Sequence, residues 1–188
     1  MGPQIQVIHY LDDFLLVLPP TTAPEQCSQT FKLLCEEVGL AIKEAKNEQG
    51  SIASFAGIEI DTRSMVSRLP EKKVQKAKSL VHGAIARKSA TLLELQQITG
   101  YLNFVSTVVP LGRTILRRLY NMQVYFPPGG RYQRRRLSCE AKKDLVWWEE
   151  VLTRTPKRSI AVKVRQTISV WSDASSTKGL GVFYTSHS

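Results

Sequence analysis

The stretch Ile5–Pro20, IQVIHYLDDFLLVLPP, decides how this chain is read. Two adjacent carboxylates, Asp12 and Asp13, interrupt its most apolar run. Val, Ile, Tyr, Phe and Leu dominate both flanks, which predicts a β-hairpin over residues 4–18 with the Asp pair at the turn. Pro19 and Pro20 stop the second arm, because proline cannot donate to a sheet ladder. Asp is a favoured turn residue, and a hairpin tip needs no function to carry it. Both arms, however, look buried, which would set the tip at the edge of a core. Two like charges in one place repel unless a cation joins them. Mg²⁺ fits best, as a hard ion bound by one or two carboxylates plus substrate phosphates.

Outward from the hairpin the chain changes character twice. APEQCSQTFKLLCEEVGL reads as a helix, opened by Pro24 and stopped by Gly39, with Cys27, Phe31, Leu34, Cys35 and Val38 on one apolar stripe. SIASFAGIEID is a strand, and DTRSMVSRLP turns into a shorter one. From Pro70 the sequence is helical and basic. Val74, Ala77, Val81, Ala84 and Ile85 face inward there, while Lys72, Lys73, Lys76 and Lys78 lie mostly elsewhere. TLLELQQITGYLNFVSTVVP opens with a capping box, Thr91 and Glu94, and runs a stripe of Leu95, Ile98, Leu102 and Val105. Gly100 costs that helix stability, so a close neighbour is expected against it. GRTILRRLY is a further short helix, and FPPGGRYQRRR reads as a loop or linker. SCEAKKDLVWWEEVL is a helix capped by Ser138, with Ala141, Leu145, Trp148 and Leu152 inward. Strand-like pieces, IAVKV, ISVWSD and GVFYTS, follow.

The 188 residues carry 26 Lys and Arg against 16 Asp and Glu, a net charge of +10. A polyanion is the implied partner class, nucleic acid first and an anionic membrane surface second. No apolar run approaches the ~20 residues of a membrane span, and no signal peptide is visible. Cys27 and Cys35 lie about 12 Å apart along one helix and cannot bridge each other. No Cys/His spacing suggests zinc. The three thiols, with Cys139, are read as reduced and intracellular, at least two of them in the core.

Tyr10-Leu11-Asp12-Asp13 resembles the YxDD motif of reverse transcriptases. The segments after it occur in that family's order. VGL precedes a lysine, Lys46, just beyond GLAIKEA. FAGIEID is similar to the family's primer-grip segment. RLPEKK and then TLLELQQITGYLNFVSTVVPLGRTILRRLY resemble the thumb helices of retrotransposon enzymes. DLVWWEEVL resembles the connection, and VWSDASSTKGLGVFY the first hairpin of a tethered ribonuclease H. The closest flavour is that of DIRS-type retrotransposons.

The resemblance implies an α+β fold in four parts. Residues 1–67 would be the C-terminal half of a palm, 68–126 a helical thumb, 127–166 a linker and connection, and 167–188 the first ribonuclease H hairpin. It implies an RNA-directed DNA polymerase, with Asp12 a Mg²⁺ ligand and Asp13 a looser support. Tyr10 would pack beneath the primer terminus, and Lys46 would act near the phosphates of the incoming dNTP. Phe55, Gly57 and Ile58 would form the turn holding the primer strand, with Ala56 replacing the usual Leu. Arg113, Arg117 and Arg118 would contact the backbone of an RNA–DNA hybrid or other template–primer, and Arg134, Arg135 and Arg136 less directly. Asp173 would be the first metal carboxylate of ribonuclease H. The family's remaining palm Asp and later ribonuclease H carboxylates fall outside this sequence, so the chain alone is expected not to polymerise. The implied setting is intracellular, cytoplasmic or nuclear. Two other readings stand beside this one: a non-catalytic nucleic-acid-binding module, and a host-recruited protein-interaction domain.

Overall fold

The computed structural model describes residues 5–43, 47–161, 168–175 and 179–186. It is a mixed α+β structure with small antiparallel sheets and one dominant helical core. Strands β1 (Gln6–Tyr10) and β2 (Asp13–Val17) form the first hairpin, and α1 (Pro24–Glu37) follows. A four-stranded antiparallel sheet has the order β3 (Ile52–Phe55), β4 (Ile58–Asp61), β5 (Val66–Arg68), β8 (Lys157–Ser159). Between β5 and β8 run α2 (Glu71–Arg87), β6 (Ser89–Thr91), α3 (Leu92–Val105), α4 (Gly112–Ile115), α5 (Arg117–Gln123), β7 (Arg134–Arg136) and α6 (Cys139–Thr153). A final hairpin pairs β9 (Ile168–Ser175) with β10 (Gly179–Ser186).

The apolar stripes read from the sequence meet in the helical part. Val74, Ala77, Val81 and Ala84 of α2 lie in one cluster with Leu95, Ile98, Leu102 and Val105 of α3. Leu119 of α5 and Ala141, Leu145, Trp148 and Leu152 of α6 complete it. Helix α2 packs on both α3 and α6, α3 packs on α5, and α5 packs on α6. The four helices therefore close into a ring around the core. Gly112 belongs to this packing: a Cβ there would lie 2.8 Å from Trp148 Cη2 and 2.9 Å from Ser106 Cβ. The sheet joins the core through Leu69 and Ile58, and through Arg158 Nη1, which donates to the Thr107 carbonyl at 3.3 Å.

Several expectations are corrected. The arms of the first hairpin are not buried: every residue of β1 is exposed, and β2 is exposed at Asp13 and Val17. Apolar composition is not burial when no second layer lies over the strand; here the chief anchor is Phe14, edge-on to Phe31 of α1 at 5.2 Å. The stripe on α1 is covered only in part, with Cys35 buried but Leu34 and Val38 exposed. Of the three cysteines only Cys35 is fully buried, and Cys139 is exposed. The stretch ending in RRR is not all loop, because Arg134–Arg136 pairs antiparallel with β6. Its partner lies some 45 residues away and its side chains are all charged, so period-two apolar alternation gave no signal. Gly100 has no close neighbour from another element among the described residues, since a Cβ there would meet nothing within 4 Å.

The capping box forms as expected. Glu94 N–H donates to Thr91 Oγ1 at 3.1 Å, and Thr91 N–H donates to Glu94 Oε2 at 2.8 Å. Glu94 also pairs with Arg134 at 3.4 Å and Arg87 at 3.7 Å. Burial alone would raise its pKa, but the Thr91 backbone N–H and these two guanidinium groups outweigh it and hold the carboxyl below its ordinary value. A lowered folded-state pKa contributes stability that is present above the unfolded value and lost as pH falls through the folded one. Thr91→Ala should cost about 1 kcal/mol in urea denaturation. Glu94→Gln should flatten the loss of stability of the parent protein on the acid side of the glutamate range; an unchanged acid limb would show that Glu94 does not contribute.

Candidate nucleic-acid interface and carboxylate hairpin

The turn of the first hairpin is Leu11–Asp12, with Tyr10 paired to Asp13. The carboxylates therefore do not occupy the two turn positions together: Asp12 is at the tip, and Asp13 begins β2. Leu11 has φ 51°, uncommon for a residue with a Cβ, and is 74% exposed. Strained backbone of this kind costs about 1–3 kcal/mol and persists only where its surroundings hold it. His9 helps to hold it, by a contact of its Nε2 with the Leu11 carbonyl and by stacking on Phe14 at 4.6 Å. Tyr10 is 56% exposed beside the carboxylates. Neither Asp12 nor Asp13 has an ion-pair partner among the described residues. Two adjacent, exposed, uncompensated carboxylates suit a hard divalent cation as two of its oxygen donors. Among the described residues no group of three or more His, Cys, Asp or Glu is close enough to hold a metal.

Phe55 and Ile58 pair across the β3–β4 turn, whose two central residues, Ala56 at φ 48° and Gly57 at φ 76°, both take positive φ. This is the geometry of a tight two-residue hairpin. The turn lies on the helical ring: a Cβ on Gly57 would run into Lys73 Nζ and lie 3.5 Å from Phe104 Cζ. Lys73 Nζ sits 4.5 Å above the Phe104 ring, and Tyr101 Oη donates to the Lys73 carbonyl at 3.1 Å. Lys76 Nζ lies 5.0 Å from the Tyr101 ring centre. These residues, with Leu80, Gln97 and Gly100, line an open groove between α2 and α3. Burial raises the Tyr101 pKa, so its hydroxyl stays a donor at neutral pH.

The groove has the parts a nucleic-acid backbone needs: lysines for phosphates, an amide and a hydroxyl for polar edges, and a glycine whose missing side chain leaves room. Sequence reasoning named the adjoining turn but not the groove itself. Its residues come from two helices, and Lys73 and Lys76 looked like part of a solvated face. Arg113 and Arg117 are exposed on α4 and α5. Arg118 is engaged within the protein, at 3.1 Å from Asp144 Oδ1 and 3.0 Å from Glu140 Oε2. Burial raises the Asp144 pKa despite this guanidinium. Asp173 is inside β9, paired with Gly181, rather than at a strand end. Lys46 lies outside the described residues. Among the described residues no helix is long and apolar enough to cross a membrane.

No family model and no curated protein matches the chain. Among solved structures it is similar to a foamy viral protease–reverse transcriptase determined in complex with double-stranded DNA, at 19% identity and a TM-score of 0.50. The match covers 96% of this chain and 30% of that one. At this identity the likeness speaks to fold alone, and the fold it shows is reverse transcriptase-like.

Proposed function

We propose that the chain is a segment of an RNA-directed DNA polymerase from a DIRS-like retrotransposon, and that its helical ring seats the template–primer duplex. The observation that carries this reading is the docking of the β3–β4 turn beside the open, basic and aromatic α2–α3 groove. The likeness of the fold to a reverse transcriptase supports it. In this reading residues 1–67 belong to the palm, 68–126 to the thumb, 127–166 to the linker and connection, and 167–188 to the start of ribonuclease H. Because α6 shares the core of α2 and α3, the connection begins as part of the thumb's own packed unit.

Lys73 and Lys76 neutralise backbone phosphates, and the Gly100 side of α3 lets the duplex approach. Phe55, Gly57 and Ile58 hold the primer strand at the edge of the groove, with Arg113 and Arg117 extending the basic surface. Asp12 and Asp13 hold Mg²⁺ at the hairpin tip, together with a palm carboxylate from elsewhere in the parent enzyme, and Tyr10 supports the primer end. Held by these carboxylates, the ion would supply charge neutralisation to the transfer of the nucleotide. Lys46 serves the phosphates of the dNTP, and Asp173 belongs to the ribonuclease H centre.

The test is binding of a labelled RNA–DNA hybrid across a salt titration, with and without Mg²⁺. The expected result is binding whose log K falls with log salt, and a slope reduced by about 1.8 in Lys73→Gln/Lys76→Gln, at ~0.9 per phosphate. A folded chain that ignores the hybrid at low salt refutes the reading. The groove is lined by residues of α2 and α3 alone and needs no carboxylate of the hairpin, which favours as second reading a nucleic-acid-binding module that acts without catalysis. Primer extension that Asp12→Asn abolishes would exclude that module.

A further inference from the structure

A second basic cleft lies between α5, β7 and the start of α6, with a volume of about 570 Å³. It shares no lining residue with the α2–α3 groove. The charges in the cleft are unequal. Arg118, Glu140, Asp144 and Lys143 compensate one another through bridges of 3.0–3.1 Å. Of the β7 arginines, Arg134 is spent on Glu94 and the Ser89 carbonyl. Arg135 and Arg136 line the cleft without an ion pair among the described residues, Arg135 lying 5.6 Å from the Phe126 ring. Tyr125, on the cleft wall, is 69% exposed, and Asn121 beside it is exposed too.

We infer that this cleft binds an unpaired nucleic-acid strand, with Arg135 and Arg136 on its phosphates and Tyr125 stacked on a base. The chemistry selects a single strand over a duplex. An exposed phenol ring is useful to a base only where the base's face is free, and every base has such a face. Arginine adds planar, bidentate contact with phosphate oxygens. The positive end of α6 opens on the same cleft at Ser138, which adds to its preference for an anion. The inference does not depend on the duplex groove, with which the cleft shares no lining residue.

The experiment measures binding of a fluorescent oligouridylate of about eight nucleotides and, separately, of a labelled RNA–DNA hybrid. Tyr125→Ala should weaken oligouridylate binding roughly tenfold and leave hybrid binding as it was. Arg135→Gln/Arg136→Gln should lower the single-strand salt slope by about 1.4, at ~0.7 per phosphate. Thermal melts establish that each variant is folded, and Tyr125, at the surface, carries the test if the arginine pair disturbs β7. Oligouridylate binding that is sensitive to these variants, in a chain that ignores the hybrid, supports the cleft while refuting the duplex seat. Two results overturn it: a parent chain that does not bind oligouridylate at low salt, or folded variants that bind it as the parent does.

Discussion

Trp148→Ala should destabilise the protein by about 3–5 kcal/mol, a large share of the roughly 5–15 kcal/mol that holds a domain of this kind together. Trp148 is fully buried, and it is the largest such side chain in the core. It lies against Gly112, which comes so close that no side chain fits between them. Removing the indole leaves a cavity that the short helix α4 cannot fill without moving. The indole Nε1 has no hydrogen-bond partner among the described residues. Trp148→Phe therefore forfeits volume but no hydrogen bond, and should cost about half as much or less. Urea denaturation followed by far-UV circular dichroism reads both, without depending on tryptophan emission. A loss under about 1 kcal/mol for Trp148→Ala would show that α6 is not integral to the ring.

Gly100→Leu should separate stability from binding. Gly100 sits inside α3 with helical backbone, where glycine is about 0.8–1 kcal/mol worse than alanine and leucine is nearly as good as alanine. Its Cβ direction is open, so the first carbon of the leucine meets no neighbour. The melting temperature should rise. The same side chain would project into the groove lined by Lys73, Lys76 and Tyr101. Hybrid binding should then fall on the order of thirtyfold or more, the equivalent of about 2 kcal/mol of displaced contact. A more stable variant with undiminished hybrid affinity would show that the duplex does not sit there. Gly100→Ala, which adds a single methyl, should gain stability while losing less affinity.

Where the sequence was legible, local physics was decisive. The Thr91–Glu94 box, the Ser138 cap and the stripes of α2, α3 and α6 are properties of neighbouring residues, and the structure repeats them. The hairpin of Ile5–Pro20 was legible as a hairpin, but its register slipped by one. Two Asp residues look like a turn, yet the positive φ falls on Leu11, which composition would not choose. The missing cover over β1 and β2 was not legible either, because alternation reports what a strand can bury and not what buries it. The pairing of Arg134–Arg136 with β6 and the α2–α3 groove arise from residues far apart in the chain. Gly100 shows the ambiguity most clearly: a glycine in a helix signals close approach or open space with the same letter.

The pairing of β5 with β8 has a mechanical meaning. These strands are neighbours in one sheet, in register from Val66↔Ser159 to Arg68↔Lys157, and the whole helical ring runs between them. The ring thus leaves the sheet and returns to it along adjacent seams, like a door hung on two parallel straps. A body hung from one strand could swing in any direction; one held by two is restricted to turning about the axis they define. The β3–β4 turn, which joins the strand next to β5, packs on the ring at Lys73 and Phe104, a third tie that keeps the sheet and the wall of the α2–α3 groove in one fixed relation.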